Sequence, residues 1–224
     1  IATLEAMRAL GVVIRGPNEG VVEIEGVGLD GLRPSAAPLD LGNSGTSMRL
    51  FSGLLAGQTF ASELIGDASL MSRPMARVTD PLRRMGADIT TTDRGTAPLV
   101  IQPVSVLDGI DYEMPVASAQ VKSALLLAGL YADGQTSVYE SGVTRDHTER
   151  MLAALDYPIH RDGAVVQLTG GAELKGGLVR VPADISSAAF FLVGASIASG
   201  SEMTLSGVGL NPTRTGVIEI LQRM

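Results

Sequence analysis

The segment Leu41-Gly42-Asn43-Ser44-Gly45-Thr46-Ser47-Met48-Arg49-Leu50 runs without a break into Phe51-Ser52-Gly53-Leu54-Leu55-Ala56-Gly57. It reads as a helix, with Asn43 or Ser44 as the residue type that caps one. The first turn carries small side chains only, so its amide N–H groups, which have no partner inside the helix, stay uncovered. Arg49 follows one turn in. Uncovered amides, the positive end of a helix dipole and a guanidinium together make an anion site. The same residues also describe an ordinary cap on a buried helix. Which of the two applies depends on what the rest of the chain places beside it.

Working outward, the phrase recurs. Ala117-Ser118-Ala119-Gln120-Val121 opens a second helix ending at Gly134-Gln135, and Asp184-Ile185-Ser186-Ser187-Ala188 opens a third ending at Gly200-Ser201. Each helix is followed by a short predicted strand and a Gly: Ala61 to Gly66, Thr136 to Gly142, Glu202 to Gly207. A second phrase alternates with the first, an amphipathic helix closed by Gly and then a strand. It spans Thr3 to Gly11 before Val12-Val13-Ile14, and Thr79 to Gly86 before Ala87-Asp88-Ile89, with Pro81 near the helix start. Thr148 to Ile159 is a third copy with Asp156 in place of the Gly, and Gly216 to Met224 is a fourth. Strand pairs are expected between phrases: Pro98 to Ile101 with Ile110 to Glu113, and Val165 to Leu168 with Leu178 to Val181. One unit is therefore βαβαββ. The small-residue helices are apolar nearly all round (Ala124-Leu125-Leu126-Leu127-Ala128; Ala188-Ala189-Phe190-Phe191-Leu192), which places them at a buried centre. Repetition implies pseudo-symmetric packing, with the N-termini of equivalent helices pointing one way and converging on one cleft. The fold class expected is α/β, with repeated βαβαββ units around buried parallel helices.

Composition narrows the chemistry. The chain has 224 residues, 45% of them hydrophobic, and a formal net charge of −7. That suits one large or two small globular domains and argues against nonspecific binding to nucleic acid or an anionic membrane. There is no Cys, and the only His residues are His147 and His160, so disulfides and thiolate metal sites are excluded. No secretory signal is recognisable, and the longest apolar run, Ala124 to Tyr131, is too short to cross a bilayer. A cytoplasmic protein is expected. The chain opens inside what reads as a helix and stops where a helix should end, so a piece of a longer protein is expected too.

Against this acidic background the cations near the helix starts stand out. Arg49 follows the first start, Lys122 sits one turn into the second, and Arg73 and Arg145 lie in loops after the strands that leave the helices. Singly, each reads as a solvated surface charge; four at equivalent places read as cleft charges. Ser118-Ala119-Gln120 offers a hydroxyl, a bare backbone amide and a side-chain amide on one turn, a set suited to a phosphate beside sugar-like hydroxyls. Arg73, ahead of Pro74, could fork onto a carboxylate. His147 could serve as acid or base, or simply as a cap.

Together these stretches resemble the 5-enolpyruvylshikimate-3-phosphate (EPSP) synthase family. The resemblance is carried by Leu41 to Arg49, Ser72-Arg73-Pro74-Met75, Ala117 to Leu125, Ser141 to Glu149, Asp184 to Phe190 and Gly207-Val208-Gly209-Leu210-Asn211, in that order and over nearly the whole chain. It implies two globular domains, each an inside-out α/β barrel of three βαβαββ units. It implies enolpyruvyl transfer from phosphoenolpyruvate to the 5-hydroxyl of shikimate 3-phosphate, without metal or organic cofactor, by a cytoplasmic monomer. By the resemblance, Ser118, Ala119 (through its backbone) and Gln120 hold shikimate 3-phosphate, and Arg145 faces its phosphate. Gly45 lines the phosphoenolpyruvate pocket, where a larger side chain would crowd the inhibitor glyphosate; Arg73 takes an anionic group of phosphoenolpyruvate, and Gln120 is shared. Arg49 and Lys122 add cleft charge.

The departures are Ser-Ala-Gln for the Ser-Ser-Gln of some members, and Leu50 where plant and enteric forms carry Pro. The family's N-terminal Lys-Ser segment would precede Ile1, and its acidic proton-transfer residues and remaining phosphoenolpyruvate-binding cations would follow Met224. No catalytic acid or base is therefore expected here, and the chain should bind without turning over. Residues 1–181 are expected to form the substrate-binding domain, its first unit incomplete, and 182–224 the start of a second domain that needs the remainder of the protein. Two alternatives remain at this point. UDP-N-acetylglucosamine enolpyruvyltransferase shares the fold but usually carries a Cys ahead of its loop Arg-Pro, a place that Asp can also fill; a noncatalytic phospholigand-binding scaffold is the other.

Overall fold

The computed structural model describes residues 1–224. The chain divides into two units, Ile1–Gly142 with His147–Gly176, and Val143–Asp146 with Gly177–Met224.

The first unit opens with α1 (Ala2–Ala9) and an antiparallel hairpin of β1 (Val13–Asn18) and β2 (Val21–Glu25), which is the rear half of a repeat. The chain then follows the same path twice. The first pass is β3 (Leu39–Asp40), α2 (Gly45–Ala56), β4 (Ser62–Ile65), the short α3 (Ala68–Met71), α4 (Ala76–Arg84), β5 (Asp88–Thr90) and β6 (Leu99–Gln102). The second is β7 (Leu107–Asp108), β8 (Asp111–Glu113), α5 (Ala119–Gly129), β9 (Ala132–Asp133), β10 (Gln135–Tyr139), α6 (His147–Ala154), β11 (Ile159–Asp162) and β12 (Val165–Thr169). The four-stranded sheets have one topology. In the order β3-β4-β6-β5, the first pair is parallel and the rest antiparallel; β8-β10-β12-β11 repeats this sense for sense. The βαβαββ unit read from the sequence is thus present.

Two strand pairings differ from expectation. Leu99–Gln102 pairs with Asp88–Thr90 and with β4, not with residues 110–113; Asp111–Glu113 instead lies parallel to β10 and starts the next unit. Val165–Thr169 pairs with Ile159–Asp162, while residues 178–181 form no strand. Strands this short carry too little side-chain pattern to choose a partner, so the turn between neighbours decides. Likewise α4 starts at Ala76, and Pro81 lies within the helix rather than near its start.

The second phrase ends identically each time. Gly11 and Gly86 adopt φ +88° and +91°, and Asp156, in the third copy, takes φ +58°. The following amide then donates back across the turn, Val12 to Met7, Ala87 to Leu82 and Tyr157 to Leu152, all within 3.1 Å. This left-handed stop satisfies end-of-helix carbonyls, and Asp tolerates it better than most residues.

The small-residue helices α2 and α5 pack against each other at the centre of the main apolar cluster, with Met48, Phe51, Leu55, Ala124 and Leu125 inside it. Along the two helices the partners run in the same sense, Arg49 with Gln120, then Gly53 with Ala124, then Gly57 with Tyr131, so α2 and α5 are parallel with their N-termini at one end. A smaller cluster, with Leu126, Leu152, Tyr157 and Val166, fills the far side of α5.

In the second unit Ala183 bridges Val208 in parallel, around α7 (Ile185–Ile197), and α8 (Gly216–Arg223) follows. This is the opening half of another repeat. The sequence expectation that α7 is buried is corrected here: only Ile185 and Ala188 are covered, and Phe190, Phe191 and Ile197 are exposed, because within this unit only α8 packs against the helix. No helix is long and apolar enough to cross a membrane.

Candidate active site

Each small-residue helix is capped by the side chain that the sequence offered. Ser44 accepts from the Ser47 amide at 3.1 Å, Ser118 from the Val121 amide at 3.4 Å, and Asp184 from the amides of Ser186 and Ser187. The first turns of α2 and α5 contain no acidic residue. Their parallel N-termini therefore present two unneutralised positive dipole ends side by side.

Gly45, the first residue of α2, sits between two guanidinium groups. A Cβ built on it would lie 2.9 Å from Arg49 Nη1 and 3.0 Å from Arg73 Nη1, so a side chain here would push the flexible ends of both cations back from the helix start. Arg49 Nη1 donates to the Gly45 carbonyl at 3.1 Å and to Gln120 Oε1 at 2.9 Å, and Gln120 Nε2 donates onward to Thr46 Oγ1 at 2.7 Å. These bonds tie the start of α5 to the start of α2 and fix the orientation of the Gln120 amide. Arg73 Nη2 donates to Asn43 Oδ1 and to Ser69 Oγ at 3.3 Å. Asn43 in turn donates to Asp67 Oδ2 at 2.6 Å, and Asp67 Oδ1 caps α3 by accepting from the Leu70 amide at 2.8 Å.

The electrostatics follow from these contacts. Burial, and then the neighbouring guanidiniums of Arg73 and Arg77, lower the pKa of Arg49. The Asn43 amide and then the Leu70 N–H hold the Asp67 carboxyl below the usual aspartate value. The hydrogen bonds of Arg49 and Arg73 end on neutral oxygens. Mutually repelling cations beside two helix N-termini are stabilised when an anion arrives. Asn43, Ser69 and Thr46 are exposed, Arg73, Ser118, Ala119 and Gln120 half-buried, so the site opens to solvent.

The structure thus brings together Gly45, Arg49, Arg73 and Gln120, with Ser118 and Ala119 at the start of α5. It does not bring in Lys122. That expectation is corrected: Lys122 is fully buried, paired with Glu140 at 2.8 Å and with Glu149, and it contributes no charge to an open cleft. At roughly 100° per residue, Lys122 points to the side of α5 opposite Gln120. Arg145 is exposed and lies in the Val143–Asp146 segment, which groups with the second unit, where Asn211 Nδ2 donates to the neighbouring Asp146 at 2.7 Å. Sequence reasoning missed Asn43, Thr46, Ser69 and Arg77. Asn43 and Thr46 stood in the opening segment itself, and Arg77 lies in the first turn of α4, just beyond the loop that carries Arg73. No group of three or more His, Asp or Glu side chains is arranged to hold a metal ion.

Residues 1–224 match the protein family described as EPSP synthase (3-phosphoshikimate 1-carboxyvinyltransferase). The chain is 66% identical over 224 residues to the 3-phosphoshikimate 1-carboxyvinyltransferase of Methylococcus capsulatus and 64% identical to that of Alkalilimnicola ehrlichii. It covers 51% and 50% of those relatives, so it spans about half their length. A solved EPSP synthase from Acinetobacter baumannii, 57% identical, superposes with a TM-score of 0.93 over 100% of this chain and 50% of its own. By whole-length sequence match and by fold, this chain belongs to the EPSP synthase family.

Proposed function

We propose that this chain is the substrate-binding half of an enzyme that transfers the enolpyruvyl group of phosphoenolpyruvate to the 5-hydroxyl of shikimate 3-phosphate, releasing phosphate. The observation that carries the reading is the pair of parallel, acid-free helix N-termini with Gly45 held between Arg49 and Arg73. Both substrates carry a phosphate, and phosphoenolpyruvate adds a carboxylate. In this reading Ser118, Gln120 and the Ala119 backbone hold shikimate 3-phosphate, and Arg145 meets its phosphate. Arg73 and the bare edge of Gly45 take phosphoenolpyruvate. Gln120, held by Arg49 and Thr46, faces both substrates with its position already fixed, which lowers the ordering cost of binding.

The transfer requires a proton donor to the methylene carbon and a base at the 5-hydroxyl. Neither is assigned to a residue of this chain; both belong to the second domain of the complete protein, and the half alone binds without turning over. Residues 182–224 begin that second domain. The division into compact units at Gly176/Gly177 and the exposed apolar faces of α7 support this boundary near residue 181. A cytoplasmic location follows from two phosphorylated substrates that do not cross membranes. Asp67 to Ser72 stand where the UDP-sugar enzyme usually carries a Cys, and the two oxygens of Asp67 are taken up by a helix cap and by Asn43.

Calorimetric titration into the chain tests the reading. Shikimate 3-phosphate should bind and UDP-N-acetylglucosamine should not, and Ser118→Ala should weaken the first. Binding of the UDP-sugar alone would move the chain to the other enzyme, and steady-state turnover by the isolated chain would overturn the assignment of the proton-transfer groups.

A further inference from the structure

Lys122 and Ser123 lie in the second turn of α5 and grip both ends of one loop. β10 ends at Tyr139 and α6 begins at His147; the loop between them carries Arg145. At the near end Lys122 Nζ donates to Glu140 Oε1 at 2.8 Å, Arg161 Nη2 donates to Glu140 Oε2 at 2.8 Å, and the Glu140 amide donates to the Ala164 carbonyl at 2.8 Å. At the far end Lys122 is ion-paired with Glu149 in the first turn of α6, with Arg161 Nη1 3.6 Å from the same carboxylate. Ser123 and Thr148 share a hydroxyl hydrogen bond of 2.7 Å. The side chains of Lys122, Glu140 and Glu149 are 0%, 1% and 8% exposed.

Two cations therefore balance two carboxylates inside the unit. Apolar side chains of the same volume would stabilise the space as well or better, since desolvation cancels much of what a buried ion pair gains. What an apolar set could not supply is direction. One ammonium, hydrogen-bonded to Glu140 and ion-paired with Glu149, ties the strand end and the helix start to the same turn of α5, and α5 is the helix that starts with Ser118 and Gln120.

Resting on the reading that Arg145 meets the phosphate of shikimate 3-phosphate, we infer that Lys122 is a positioning residue for that phosphate: it anchors both ends of the Ser141–Asp146 loop and so fixes where the segment that carries Arg145 leaves and rejoins the first unit. It does not touch substrate. Its effect on binding passes through Arg145.

The test is steady-state kinetics of the complete enzyme with Lys122→Met, Arg145→Ala and the double variant, varying each substrate in turn. Lys122→Met should raise the KM for shikimate 3-phosphate about tenfold, a loss of about 1.4 kcal/mol, while the KM for phosphoenolpyruvate changes less than about twofold. The double variant should be no worse than Arg145→Ala alone, because groups acting through one another are not additive. A Lys122→Met enzyme with less folded protein but an unchanged KM for shikimate 3-phosphate would show a purely structural residue and overturn the inference, as would additive losses in the double variant. Should Lys122→Met not fold, Glu149→Gln keeps the shape of the cluster and the Lys122–Glu140 pair, and the same criteria apply to it. If Arg145→Ala itself leaves that KM unchanged, the assigned role of Arg145 fails, and the anchor falls with it; a loss in Arg145→Ala without one in Lys122→Met refutes the anchor alone.

Discussion

Replacing Gly53 by Ala tests the close parallel packing on which the site depends. A Cβ at Gly53 would lie 2.0 Å from the Ala124 carbonyl oxygen, 2.7 Å from its carbon and 2.9 Å from the Ala124 Cα. All three are backbone atoms of α5, so no side-chain rotation relieves the clash, and the helices must separate by about 1 Å before the oxygen contact becomes tolerable. Overpacking of this kind costs about 3 kcal/mol, at the upper end of the usual range. Separation also stretches the 2.9 Å bond from Arg49 to Gln120, a charge-assisted bond worth about 1.5 kcal/mol or more. Ala favours the helix over Gly by about 1 kcal/mol, which offsets part of this. The net loss is about 3.5 kcal/mol, which corresponds to a fall in melting midpoint of about 7–14 °C for a protein of this size. Differential scanning calorimetry of the chain and of the complete enzyme measures it. A midpoint within about 2 °C of the parent would refute the parallel α2–α5 contact as described.

Gly45→Ala should weaken phosphoenolpyruvate binding by about tenfold or more in the complete enzyme, since the new methyl displaces Arg49 and Arg73, while leaving shikimate 3-phosphate affinity within about threefold; equal losses for both ligands in calorimetric titration would contradict the assignment of Gly45 to the phosphoenolpyruvate end. Acid should loosen the same end. The folded pKa of Asp67 is depressed, so its contribution is present above the ordinary aspartate value of 3.8 and is lost as pH falls through the lower folded value. Protonation releases Asn43 and with it one anchor of Arg73, so phosphoenolpyruvate affinity, which falls in acid in any case as the ligand's own carboxylate is protonated, should decline more steeply over that window in the parent than in Asp67→Asn. In the isolated chain, hydrogen exchange should show α7 and α8 among the least protected helices, because their apolar faces are exposed, and α5 the best protected; protection of residues 185–197 equal to that of 119–129 would contradict the proposed boundary.

Much of the architecture was written locally. The caps at Ser44, Ser118 and Asp184 and the stops at Gly11, Gly86 and Asp156 are features of one helix end each, decided by side-chain oxygens and by φ. Their alternation along the chain sufficed to give the βαβαββ unit. Strand partners were not legible, because three or four residues of a strand specify a face and not a neighbour. Among the cations, the place of Arg49 beside the start of α2 was legible and the surroundings of Lys122 were not. Arg49 stands one turn from Gly45 on the same face of α2, whereas Lys122 lies on the back of α5, where Glu140 and Glu149 arrive from the next strand and helix.

The sequence by itself thus determined the helices, their caps and stops, the repeat and the kinship, because each rests on residues adjacent in the chain or on the order of such groups. The tertiary structure alone decided that Gly45 separates two guanidiniums, that Gln120 is held from a neighbouring helix, and that a lysine one turn into α5 is a buried clasp. Each of these depends on groups far apart in sequence and within about 3 Å in space, where hydrogen bonding and desolvation, both short-ranged, decide what a charge can do.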